Sequence, residues 1–130
     1  MGARDEGYIK DELQLMGSPN FLSTIGETDL GQFAALIKRC AIHIANDTGA
    51  MHIAAAVGTH VVAILGPGSI ENYDPRKVSE NATVFYKKVD CSPCEKVYCD
   101  SRICLRVINP REVADKCMEI FDMNRERVRP

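Results

Sequence analysis

The apolar run Ala41-Ile42-His43-Ile44-Ala45 meets the turn Asn46-Asp47-Thr48-Gly49 and passes straight into the small-residue stretch Ala50-Met51-His52-Ile53-Ala54-Ala55-Ala56. No other feature narrows the possible folds as much. A strand that turns sharply into a helix leaves the first helical amides without intrahelical acceptors. It aims them, with the positive end of the helix dipole, at one point. Such a point favours an anion, most often a phosphate. Asp47 and His52 add a carboxylate and an imidazole at the same place. The plainer alternative for Asp47 is a helix cap, worth about 1 kcal/mol. For His52 it is a satisfied histidine of the first turn. Ala54-Ala55-Ala56 reads as close helix–sheet packing, with the helix ending before Gly58.

A second strand-to-turn step follows. His60-Val61-Val62-Ala63-Ile64-Leu65 is continuously apolar, the pattern of a strand covered on both faces in a parallel sheet. Gly66-Pro67-Gly68 breaks it, and a polar loop is expected from there to Arg76. Upstream, a short helix is expected over Asp5 to Met16, and an extended piece over Phe21 to Gly26. Asp29 with Gln32 three residues on forms a capping box. Behind it, Phe33, Leu36, Ile37 and Cys40 share one helical face. Downstream, Thr83 to Tyr86 reads as a strand. Asn109-Pro110-x-Glu112 then starts a last helix with a cap, a proline at its first position and a box partner. Val113, Cys117, Ile120 and Phe121 are its expected buried face.

Alternation of helices and strands with short links implies an α/β fold with a parallel, doubly wound, Rossmann-like sheet. In such sheets ligands sit beyond the carboxyl ends of the strands, where Asp47–His52 and Gly66–Ile70 would both lie. Composition agrees with a globular domain: of 130 residues, 45% are hydrophobic and 26% charged. A formal charge of −2 gives no general attraction to nucleic acid or anionic membrane. No apolar stretch reaches the roughly 20 residues that a bilayer crossing needs. No signal peptide opens the chain, so a reducing cytoplasmic setting without disulfides is expected.

Asp47-Thr48-Gly49-x-x-His52-x-Ala54-Ala55-Ala56, then Gly58-Thr59-x-Val61-Val62-Ala63-x-x-Gly66 and Pro75, resemble the sugar-nucleotide half of the heptosyltransferases, glycosyltransferase family 9. Cys91-x-x-Cys94, Cys99, Cys104-Leu105 and Pro110-x-x-Val113 extend the resemblance, which runs from about Gly2 to Phe121. It implies the C-terminal domain of a GT-B fold, cut short at its N-terminal end. Residues 1–124 would be a partial donor-binding domain with a cysteine-rich loop over 90–104, and residues 125–130 a disordered basic tail. It further implies transfer of heptose from ADP-heptose to the lipopolysaccharide inner core, with the protein peripheral at the inner face of the inner membrane at most. Asp47 would bind heptose hydroxyls, and Thr48, Gly49 and Ala50 would lie at the diphosphate with His52 close by. Glu6 would bind the adenosine ribose. No catalytic residue is expected within the chain, because the family's general base belongs to an acceptor domain without counterpart here. The chain alone is therefore expected to be inactive. No cofactor or catalytic Mg²⁺ is expected, in keeping with the lack of an Asp-x-Asp sequence. An orphaned half-domain would expose apolar surface and tend to form homo-oligomers.

The cysteines carry the rival reading. Cys91-x2-Cys94-x4-Cys99-x4-Cys104 has the spacing of a zinc knuckle with cysteine in the third position. Four thiolates so close could hold a structural zinc and define a non-catalytic binding module. Lys96 and Arg102 in this loop are balanced by Asp90, Glu95 and Asp100, a poor surface for nucleic acid. Cys40 and Cys117 read as core, and His43 and His60 as structural.

Overall fold

The computed structural model describes residues 22–96 and 98–127. The expected helix over Asp5 to Met16, and Glu6 with it, lie outside the described residues. The chain divides into two compact units, Met1–Leu36 and Ile37–Pro130.

Helix α1, Leu30–Lys38, begins at the expected capping box. The Gln32 amide donates to Asp29 Oδ1 at 2.8 Å, and the Asp29 amide donates back to Gln32 Oε1 at 3.0 Å. Two amides that the helix start would leave unpaired are thereby satisfied. Ile37 is fully buried, while Phe33, Leu36 and Cys40 are half-buried.

The second unit is a three-stranded parallel sheet in the order β1-β2-β3 with helices attached. Strand β1 is Ile42–Asn46, β2 is His60–Ile64 and β3 is Ala82–Phe85. Each expected strand is present, displaced by a residue at most at either end. The register sets Asn46 beside Ile64 and Ile64 beside Phe85, so all three strands stop at one level. β2 is central, and Val61, Val62 and Ala63 are fully buried. Side chains alternate between faces along a strand, so burial of three in a row means that both faces are covered.

Helix α2, Gly49–Ala56, packs on β1 and β2 and buries Met51, Ala54 and Ala55. It ends in a Schellman motif. Gly58, at φ 82°, donates to the Ala55 carbonyl at 3.2 Å, and the Thr59 amide to the Ala54 carbonyl at 3.1 Å. The Thr59 hydroxyl, itself buried, donates to the Ile37 carbonyl at 2.8 Å and pins the end of α1 to the start of β2.

The stretch from Gly68 to Arg76 is not the plain loop expected. It holds a single-turn helix α3, Ile70–Tyr73, and a 3₁₀ turn, Pro75–Lys77. Asp74 caps that turn by accepting from the Arg76 amide at 2.9 Å, and it also pairs with the Arg76 guanidinium at 2.6 Å. Those bonds hold the Asp74 carboxyl below the usual carboxylate range.

After β3 come α4, Ile103–Arg106, and α5, Pro110–Arg127. Asn109 caps α5, its Oδ1 accepting from the Arg111 amide at 2.9 Å. Among the described residues no hydrogen bond closes the reciprocal arm expected from Glu112. Val113 and Ile120 join Val62 and Ile108 in a buried cluster, with Cys117, Ile42, Ile64 and Phe85 packed around it. Phe121 departs from expectation: it is 42% exposed. One helical step turns it about 100° from Ile120, off the stripe that meets the sheet. α5 also continues through Arg127, into the segment expected to be a disordered tail. No described helix is long and apolar enough to cross a membrane.

Candidate functional site

The strand exits of β1 and β2 converge, as the parallel order demands, on a cleft of about 580 Å³. Asn46, Asp47, Thr48, Gly49 and His52 line it from the first exit, and Gly66, Pro67 and Gly68 from the second. Tyr73, Glu95, Lys96 and Leu105 complete the wall with Ile64.

Thr48 occupies the N-cap of α2 in an extended conformation, φ −144° and ψ 165°, and no side chain caps the helix. Its hydroxyl turns back to the Asn46 carbonyl at 3.5 Å. Among the described residues no hydrogen bond engages the Gly49 or Ala50 amide; the first amide of the turn with an acceptor is Met51, on the Thr48 carbonyl at 3.0 Å. The capping alternative for Asp47 is therefore not what the structure shows. A methyl group placed at Gly49 would meet nothing within 4 Å, so the helix start opens onto free space.

Asp47 instead directs its carboxylate across the cleft to the second exit. A Cβ at Gly68 would stand 2.5 Å from Asp47 Oδ2 and 3.3 Å from Tyr73 Cδ2. Only glycine lets the two exits approach this closely. Burial raises the Asp47 pKa, and the neighbouring His52 imidazole pulls it down in part. Gly66 admits Leu105 in a similar way, since a Cβ there would lie 3.0 Å from Leu105 Cδ2.

The cysteine-rich loop is tied to this rim by one oxygen. The Pro67 carbonyl accepts from both the Cys94 and the Glu95 amides, each at 3.1 Å. Glu95 is left-handed, at φ 50°, and turns the chain so that Lys96 follows on the cleft wall.

Asp47, Thr48, Gly49 and His52 are thus brought together, and Ala50 lies beside them in the first turn of α2. Tyr73, Glu95 and Lys96 carried no signal of a cleft position in the sequence, and Leu105 only its place in the family resemblance, because all four reach the cleft through tertiary packing. The cysteines do not assemble a metal centre. Among the described residues no three His, Cys, Asp or Glu side chains are grouped to hold a metal ion. Cys104 is buried on α4, Cys94 half-buried, and Cys91 and Cys99 exposed. The zinc-knuckle spacing therefore finds no support as a metal site among the described residues.

His43 and His60 lie on the strands, away from the cleft. His60 Nε2 is 3.1 Å from Thr83 Oγ1, and the buried His43 Nε2 has no partner among the described residues.

A parallel α/β sheet whose strand ends open onto a cleft, with free helix amides facing a carboxylate and an imidazole, belongs to the class that binds ligands at the carboxyl edge of the sheet. The family model for glycosyltransferase family 9 (heptosyltransferase) matches residues 4–103, and the chain belongs to that family. The lipooligosaccharide heptosyltransferase 2 of Haemophilus influenzae is 41% identical over 59 residues, covering 45% of this chain and 16% of that protein. Among solved structures, ADP-heptose LPS heptosyltransferase II of Escherichia coli matches 95% of this chain and 36% of its own, at TM-score 0.70 and 25% identity. The family 9 glycosyl transferase of Veillonella parvula matches in fold at TM-score 0.74 and 23% identity, over 92% of this chain and 35% of its own. The chain spans about a third of those solved chains and only 13% to 27% of the curated relatives it matches.

Proposed function

We propose that the cleft binds a nucleotide sugar, ADP-heptose, and that the chain is the donor-binding part of a glycosyltransferase that passes heptose to the lipopolysaccharide inner core. The observation that carries this reading is the uncapped start of α2, its Gly49 and Ala50 amides unengaged beside the Asp47 carboxylate.

The chemistry follows from charge. Glycosyl transfer from a nucleoside diphosphate develops negative charge on the departing phosphates and positive charge on the sugar ring. Amides fixed at a helix start meet the first without reorganising when the bond breaks. A carboxylate bridging two strand exits can hold sugar hydroxyls in register for attack. In this reading Thr48, Gly49 and Ala50 face the diphosphate, Asp47 the heptose, and His52 stands beside Asp47, partly opposing the upward pull of burial on its pKa. Glu6 is assigned to the ribose by family resemblance alone. Transfer needs no cofactor in this scheme, and an acceptor-binding domain supplies the general base. The protein works in the cytoplasm, at the inner face of the membrane where its acceptor would be presented.

Titration of the chain with ADP, followed by thermal unfolding, tests the reading. Saturating ligand at about a hundred times its Kd stabilises the native state by about 2.7 kcal/mol. Asp47→Ala is expected to weaken binding of the nucleotide sugar more than of ADP. Gly49→Val fills the open space before the helix start and is expected to abolish the response to both while the apo protein still unfolds cooperatively. No ADP-dependent stabilisation of the wild-type chain would overturn the assignment.

A further inference from the structure

Resting on the nucleotide-binding reading above, we infer that Lys96 is the side chain that grips the diphosphate, giving the cleft its preference for a nucleoside diphosphate over the monophosphate or the free nucleoside.

The charges along the wall lead there. Besides the imidazole of His52, the ordinarily charged side chains lining the cleft are Asp47, Glu95 and Lys96. Two of these are carboxylates that repel a phosphate. A helix start supplies the equivalent of about half a positive charge. The diphosphate of a nucleotide sugar carries about two negative charges. The amides of α2 alone therefore leave the anion mostly unbalanced, against two carboxylates. Lys96 is the one permanently cationic side chain among the described residues of the wall, and it adds a full charge.

Two further observations place that charge at the ligand's disposal. Its backbone is fixed on the rim, because the Pro67 carbonyl holds the Cys94 and Glu95 amides at 3.1 Å and Glu95 turns at φ 50° immediately before it. Its ammonium is also uncommitted to a carboxylate. The ion pairs among the described residues are Arg76 with Asp74 and Lys116 with Glu119, so neither adjacent Glu95 nor Asp47 neutralises Lys96. An ammonium on a flexible stem acts on phosphate as a compact point charge and tolerates some variation in ligand pose.

Isothermal titration of the full chain with ADP, AMP and adenosine, each at low and high salt, tests the assignment. Lys96→Met is expected to weaken ADP about tenfold, AMP less and adenosine hardly at all. It is also expected to flatten the salt dependence of ADP binding, while Lys96→Arg restores most of the affinity. The side chain is exposed, so neither variant should alter the unfolding midpoint of the apo protein. Wild-type binding of ADP with an unchanged affinity in Lys96→Met overturns the role of Lys96 and leaves the donor site standing. Equal weakening of all three ligands makes the residue merely structural and likewise overturns it. Failure of the wild type to bind any of the three removes the donor site, and this inference with it.

Discussion

Cys99 and Cys117 show how far burial and local donors separate chemically identical groups. The Arg102 amide donates to Cys99 Sγ at 3.4 Å, and Lys96 lies nearby; the amides of Arg102 and Ser101, more than the lysine charge, hold this exposed thiol below its ordinary pKa. Burial pushes Cys117 the other way. Thiolate fraction and access together set the rate of alkylation. With substoichiometric iodoacetamide at neutral pH, peptide mass spectrometry is expected to find Cys99 labelled well ahead of Cys117 and of buried Cys104. Equal labelling would contradict this ordering. Asp47 makes the same point at the cleft. Its identity in an Asp-Thr-Gly step was legible, and two roles fitted it equally well, a helix cap or a ligand contact. The structure removes the cap and sets the carboxylate against Gly68, a residue 21 positions later in the chain.

At the scale of elements, one hydroxyl joins a helix end to a strand start. Thr59→Val removes the hydroxyl donor to the Ile37 carbonyl, which then keeps, among the described residues, only the Cys40 amide at 2.9 Å. The expected loss is about 0.5–1.5 kcal/mol, read as a lower midpoint in urea denaturation, with Thr59→Ser close to wild type. Elements with a long period or a strong start signal could be read ahead of the structure. The apolar run of β2, the capping box of α1 and the proline start of α5 are all realised. The single turns α3 and Pro75–Lys77 could not, since so few residues carry no helical period, and the second of them is held by Asp74 capping and the burial of Pro75. Phe121 was misplaced because an apolar residue at the flank of a stripe satisfies the pattern whether or not a neighbour covers it.

For the whole molecule, two strand histidines among the described residues couple stability to pH just below neutrality. Burial holds His43 below its ordinary pKa of 6.5, and burial with nearby Lys116 does so for His60. Between the native and unfolded pKa values the unfolded chain binds more protons, so acid favours unfolding. Their contribution is fully present above 6.5 and is lost as pH falls through their native-state values. Asp47, whose pKa is raised, works in the opposite sense. The urea midpoint is expected to hold steady down to about pH 6.5 and then decline. Replacing both histidines, His43→Leu with His60→Gln, should flatten that decline; an unaltered profile would show that other groups govern it. The parallel order was legible from alternation alone, yet the contribution of the cysteine loop to the cleft was not. Lys96 is carried there by an oxygen on Pro67, a contact between segments that no local pattern records.

The level stop of the three strands at Asn46, Ile64 and Phe85 has an evolutionary consequence. Insertions or exchanges just past the first two of these positions remodel a shared doorway and leave the hydrogen-bonded ladder undisturbed. A lineage could therefore trade one ligand for another at this end of the sheet without rebuilding the scaffold beneath it.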